Sequence, residues 1–357
     1  MFFRRRQRIM VLAVAFIVLT ACTNTNNKTE QPTVVETAKV DIGTSLWLVD
    51  WASEKGIEEA TEALKDIDNI LLFATYFDEI GRLYQVEDSR QLIDDVVGNP
   101  HFDGSNVYIT IVNDLFKDDG SIIQKDPEIL KDILHSPSTR EDHVDEIIEF
   151  VEDYPIEGIE IDYENIPAGL EDEFILFAQE LQVALEEVSL YLRIILEPGF
   201  PVESYPLPEK LQFVVMAYNL YGYHSGPGPK ADYVFLDSLM KRFPNHAGNI
   251  DIALSTGGFS WQDGHVESMT YEQISEVIRH FHIEPIRHEE SGALSFIYQE
   301  EGQDVEVWYA DATTLKLWTE KLVSNGYKDI SIWRAGGLNK EVLNIFGVLK
   351  EPNMGKN

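Results

Sequence analysis

The chain alternates apolar strand candidates with helix candidates, and this rhythm limits its fold more than any other feature. Strand-like runs stand at 44–51 (TSLWLVDW), 69–77, 105–114, 158–164, 190–198, 211–219, 249–258 and 328–337. Helix candidates cover 53–67, 88–97, 139–154, 170–187, 233–243 and 312–326. Thr139 is the expected N-cap of the third of these, and 312–326 reads as the last helix. Eight apolar strands separated mostly by helices predict an α/β fold, a closed (β/α)8 TIM barrel. An open doubly wound sheet would usually show a glycine fingerprint after the first strand, and LWLVDWASEKG has none. One interval, 259–311, breaks the rhythm. It holds a helix candidate (271–281) and two strand-like pieces (292–300 and 304–311). This reads as a small α+β lobe inserted between the seventh strand and the last helix, overhanging the face where barrels keep their catalytic groups.

The fourth strand, IEGIEIDYENI (156–166), carries four acids in an otherwise apolar run. Strand side chains alternate, so Glu160, Asp162 and Glu164 share one face with Gly158, and Ile159, Ile161 and Tyr163 share the other. In a barrel the apolar set would meet the helices and the acids would point inward, with Glu164 at the C-terminal end. Crowding there should raise at least one carboxyl pKa, which makes a general acid usable near neutral pH. A solvated edge strand in an acidic protein would also place acids this way. The packable opposite face and the missing bulk at Gly158 favour the inward reading.

The stretch Glu157-Gly158-Ile159-Glu160-Ile161-Asp162-Tyr163-Glu164 resembles the DGxDxDxE signature of family 18 glycoside hydrolases. Glutamate replaces aspartate at the first two acidic positions. Two further segments resemble the spore-cortex-lytic, peptidoglycan N-acetylglucosaminidase branch of that family. They are VVMAYNLYGYHSGPGP (214–229) and VEVWYADATTLKLWTEKLVSNGYKDISIWRAGG (305–337). The resemblance implies retaining, substrate-assisted hydrolysis beside N-acetylglucosamine, with Glu164 as general acid, Asp162 orienting the substrate acetamide and Tyr218 donating to its carbonyl. It also implies substrate contacts from Trp333, Asn219 (where aspartate is frequent), Met216 and Glu160, the last hydrogen-bonded to Asp162. Tyr76 and Trp261 are further candidates for the groove, and Glu157 reads as structural. Peptidoglycan is the expected polymer. Chitin, the N-glycan core, or a catalytically weak carbohydrate-binding role are the alternatives. No cofactor is expected. No metal is expected either, because the nine histidines show no ligand spacing.

Residues 1–21 join four arginines to a short apolar run, as in an export signal. LTAC, Leu19–Cys22, resembles a bacterial lipoprotein processing box, so Cys22, the one cysteine, is the expected lipidation site. Residues 22–40 read as a polar tether, 41–350 as the barrel with its lobe, and 351–357 as a polar tail. The expected location is extracytoplasmic, on a bacterial membrane through the lipid, as a monomer. The formal charge is −34, and −38 once the four leading arginines are removed. Such a chain should avoid nucleic acid.

Overall fold

The computed structural model describes residues 42–245 and 248–350. The expected export signal, lipidation site Cys22, tether and tail lie outside the described residues. Eight parallel strands close a barrel: Gly43–Val49, Asn69–Asp78, Asn106–Phe116, Gly158–Asp162, Tyr191–Leu196, Gln212–Met216, Ile250–Ser255 and Asp329–Trp333. Each pairs with its neighbour in sequence. The ring closes where Gly43 of the first strand meets Asp329 of the eighth.

Helices Ser53–Ala63, Glu87–Val96, Pro137–Val151, Glu171–Glu187, Tyr233–Arg242, Ala312–Ser324 and Lys340–Leu349 cover the outside. The fifth connection, between Leu196 and Gln212, carries no helix. The third helix starts earlier than its sequence implies. Ser136 is the N-cap, and Thr139 sits at the third helical position of a reciprocal capping box with Pro137 in the first turn. Two helices escape the periodicity reading, Pro127–Leu134 and the closing Lys340–Leu349. The latter is capped by Asn339, which accepts from the Val342 N–H at 2.9 Å.

The large core lies between strands and helices and includes Ile159, Ile161, Phe177 and Trp318. A second, smaller core fills the upper barrel interior with Trp47, Phe73, Tyr76, Val214 and Met216. Beneath it the barrel is ionic. Arg193 binds Glu160 at 3.0 Å and Asp251 at 3.0 Å, and Ser331 bonds to both Arg193 and Asp251.

The seventh strand ends at Ser255, short of the expected 258. Gly257, at φ +65°, turns the chain into the lobe. The lobe is a five-stranded antiparallel sheet in the order His265–Met269, Gly257–Gln262, Gln303–Ala310, Leu294–Glu300, Ile286–Arg287. Helix Tyr271–Phe281 covers a core of Ile274, Phe296, Val305 and Val307. Its first hairpin turns on Asp263-Gly264, both at positive φ, a dipeptide suited to a two-residue turn.

Candidate active site

The fourth strand builds the centre. Tyr163 is fastened on the outer side: its hydroxyl lies 2.7 Å from Nε2 of His143 on the third helix, and its ring stacks on Phe177. With Tyr163 held outward, alternation turns Asp162 and Glu164 toward the barrel axis. The regular strand stops at Asp162, two residues before its expected end. Glu164 is nevertheless held like a strand residue. The side chain of Asn113, on the third strand, accepts from its N–H at 3.0 Å and donates to its carbonyl at 3.0 Å. Asn165 then turns the chain away at φ +56°, its N–H on Glu197 and its side-chain amide on the carbonyl of Lys125.

Lys125 enters from the loop after the third strand. Its Nζ stands 2.8 Å from Oδ2 of Asp162 and 2.9 Å from Oε1 of Glu164. The Glu164 side chain keeps 20% of its surface exposed. Burial pushes its carboxyl up to about 7, the Asp162 charge pushes the same way, and Lys125 pulls against both. Oδ1 of Asp162 is buried and has no hydrogen-bond partner. Tyr218 follows the sixth strand. Burial, with the charges of Asp162, Glu164 and Glu160, raises its hydroxyl well above the usual tyrosine range. It therefore stays a proton donor. Trp333 ends the eighth strand, and its ring meets Trp47 at 5.8 Å and Phe73 at 5.1 Å, both edge-on. Met216, Tyr218 and Trp333 belong to one apolar layer at this end of the barrel. The arrangement combines an acid that keeps its proton near neutral pH, a carboxylate with a free buried acceptor, a phenol donor and an indole. Such a set can protonate a leaving oxygen and hold an amide group.

The sequence profile described as glycosyl hydrolases family 18 matches residues 124–337, more than half of the chain. The chain belongs to family 18 of the glycosyl hydrolases. Solved structures with the same fold include a chitinase from Chromobacterium violaceum (17% identity, TM-score 0.72), which covers 86% of this chain and 98% of its own. The spore cortex-lytic enzyme SleL of Bacillus cereus aligns at 15% identity and TM-score 0.73, over 88% of this chain and 75% of its own. A class V chitinase from Nicotiana tobaccum, solved in complex with NAG4, aligns at 12% identity and TM-score 0.70, over 87% and 100%. No curated protein matches the chain.

In this family 18 chain the remaining candidates lie at different depths. Glu160 is fully buried. It accepts from Trp47 Nε1 at 2.8 Å, Thr110 Oγ1 at 2.9 Å and Arg193 Nε at 3.0 Å. The expected bond to Asp162 does not form, because Arg193 and its companions take both Glu160 oxygens. Tyr76 is 2% exposed and gives its hydroxyl to Asp50 at 2.8 Å, with its ring against Phe116, so its polar end faces inward rather than toward a groove. Trp261 is 6% exposed and donates to the Ser225 carbonyl at 3.1 Å. Its indole thus fastens the lobe to the loop after the sixth strand instead of standing open to sugar. Asn219 is exposed next to Tyr218. Among the described residues no group of His, Cys, Asp and Glu side chains could hold a metal ion.

Proposed function

We propose that this chain cleaves β-1,4 bonds beside N-acetylglucosamine with retention, using the substrate's own acetamide as nucleophile, and that its polymer is peptidoglycan. The observation that carries the reading is the pairing of a Glu164 carboxyl pushed up to about 7 with the orphaned, buried Oδ1 of Asp162. Glu164 gives its proton to the glycosidic oxygen as the bond from C1 breaks. The acetamido oxygen closes on C1, and its N–H falls to the free acceptor of Asp162, which steadies the cationic ring that forms. Tyr218 donates to the same acetamide, and Trp333 offers its face to the sugar. Glu164, now a carboxylate, takes a proton from the incoming water, which opens the ring and restores the acid. Peptidoglycan is favoured by the 214–229 and 305–337 segments and by the likeness to cortex-lytic folds. Chitin is the competing polymer. The leading arginines, apolar run and Cys22 support a lipid-anchored, extracytoplasmic enzyme.

The test incubates wild type and Glu164→Gln with peptidoglycan and with chitin oligosaccharides and identifies the products. Wild type should release fragments with N-acetylglucosamine at the reducing end, and Glu164→Gln should lose about a thousandfold in rate or more. Failure of wild type to cut either polymer at any pH from roughly 4 to 9 sinks the reading.

A further inference from the structure

Trp333 has a second neighbourhood. Between the loop after the eighth strand and the foot of the lobe lies a small cavity of about 50 Å³, lined by Lys230, Ser255, Thr270, Trp333 and Arg334 among others. The chain carries 62 acids against 28 lysines and arginines, yet no carboxylate lines this cavity and two cations do. Lys230 is 9% exposed and bonds only to neutral oxygens among the described residues, Ser255 Oγ at 2.8 Å and the Thr256 carbonyl at 3.0 Å. The Phe259 ring covers it from the lobe side at 5.3 Å. Arg334 lies over Trp51 and spends Nη1 on the carbonyls of Ala335 and Gly336. Glu59, the acid whose charge acts on Arg334, accepts from the N–H groups of Gly336, Gly337 and Leu338. Among the described residues, however, neither cation has a carboxylate within ion-pair distance, and the two together, at the end of the seventh and eighth barrel strands, make a setting for a small anion.

We propose that this cavity is a subsite for a carboxylate carried by the bound sugar chain, the lactyl carboxylate of an N-acetylmuramic acid unit. The inference rests on the peptidoglycan reading above and narrows it. One water needs roughly 10–15 Å³ of such space, so the cavity has room for a group the size of a carboxylate. In intact peptidoglycan that carboxyl is locked in an amide with the stem peptide. The substrate is then a strand already stripped of its peptides, and hydrolysis of that amide must come first. Lys230 adds a pH signature. Burial, and then Arg334, lower its pKa to about 7, and a bound carboxylate would draw the proton back. The titratable groups lining the cavity are Lys230, Arg334 and the Tyr271 hydroxyl. Preference for a carboxylated ligand should therefore grow as pH falls from about 8 to about 6.

The test measures binding by titration calorimetry to Glu164→Gln, which blocks turnover. The ligands are a chito-oligosaccharide, a peptide-free GlcNAc–MurNAc oligomer of equal length, and that oligomer with its lactyl carboxyls converted to methylamides. The free carboxylate form should bind at least about tenfold tighter than the methylamide. Lys230→Met or Arg334→Gln, each in the Glu164→Gln background, should bring that ratio close to one, and Arg334→Lys should restore part of it. Lys230→Met should also flatten the pH dependence of the ratio. Binding of the chito-oligosaccharide with a ratio of one, or a ratio that survives both substitutions, overturns the subsite and leaves the glycosidase reading standing. If none of the three ligands binds, the glycosidase reading fails and takes the subsite with it.

Discussion

At Glu164 two neighbours pull the proton in opposite directions. Asp162 favours keeping it and Lys125 favours losing it, while burial adds to the first. The protonated form does the first chemical step, so kcat/KM should fall as pH rises through about 7. Lys125→Met removes the opposing cation, and the alkaline limb should move up by about one unit. A pH–rate profile of the variant decides: a limb that stays put would reduce Lys125 to a structural ion pair. Asp162 and Glu164 were legible in the sequence because alternation along one short strand places both. Lys125 was not. In NDLFKDDGSIIQKDP it looks like any lysine on a wet acidic loop. What brings it to the centre is its own left-handed backbone, φ +52°, with its N–H on Asp114 and its carbonyl under Asn165. Asn113 was equally hidden, since a strand asparagine carries no sign that it will stand in for backbone.

Among the elements, the fourth strand depends on what Gly158 lacks. A Cβ there would lie 2.7 Å from the Tyr108 ring and collide with the carbonyl of Tyr191 on the fifth strand. Gly158→Ala should cost about 2–4 kcal/mol, read as a lowered urea midpoint, because the strand cannot shift without moving Asp162. An unchanged midpoint would mean the neighbouring strands yield. Strands and their order were readable from apolar runs and spacing. Boundaries were less so: Ser136 and Thr139 are both good caps, and only the reciprocal bonds choose between them. The lobe's first hairpin is hidden in the sequence because Ser255-Thr256-Gly257-Gly258 reads as the tail of the seventh strand, while Gly257 in fact begins the first strand of the lobe.

Taken whole, the barrel holds an ion triad where a packed apolar layer would serve. Glu160, Arg193 and Asp251 are buried, and burial alone would push Glu160 toward its neutral form. Arg193→Met strands two carboxyls in the interior and should cost about 3–5 kcal/mol, whereas adding Glu160→Gln and Asp251→Asn should recover most of it. Urea unfolding of the single and triple variants separates the two, and equal stabilities would mean the triad is not electrostatically linked. The sequence pointed to Glu160 as inward but not to its partners, which lie on strands 33 and 91 residues downstream. The lobe connects to this molecule with unusual economy. It departs at Gly257 and returns at Ala310, residues paired across adjacent strands, and Thr256 bonds to the Ala310 carbonyl at 3.0 Å. Some fifty residues thus join the barrel through two chain crossings, and bonds such as Trp261 Nε1 to the Ser225 carbonyl and Trp318 Nε1 to the Ser291 carbonyl hold them against it. The ring of strands closes without them, so a lineage could lengthen, trim or replace the lobe as a cartridge, changing what the cleft admits while Asp162 and Glu164 keep their places.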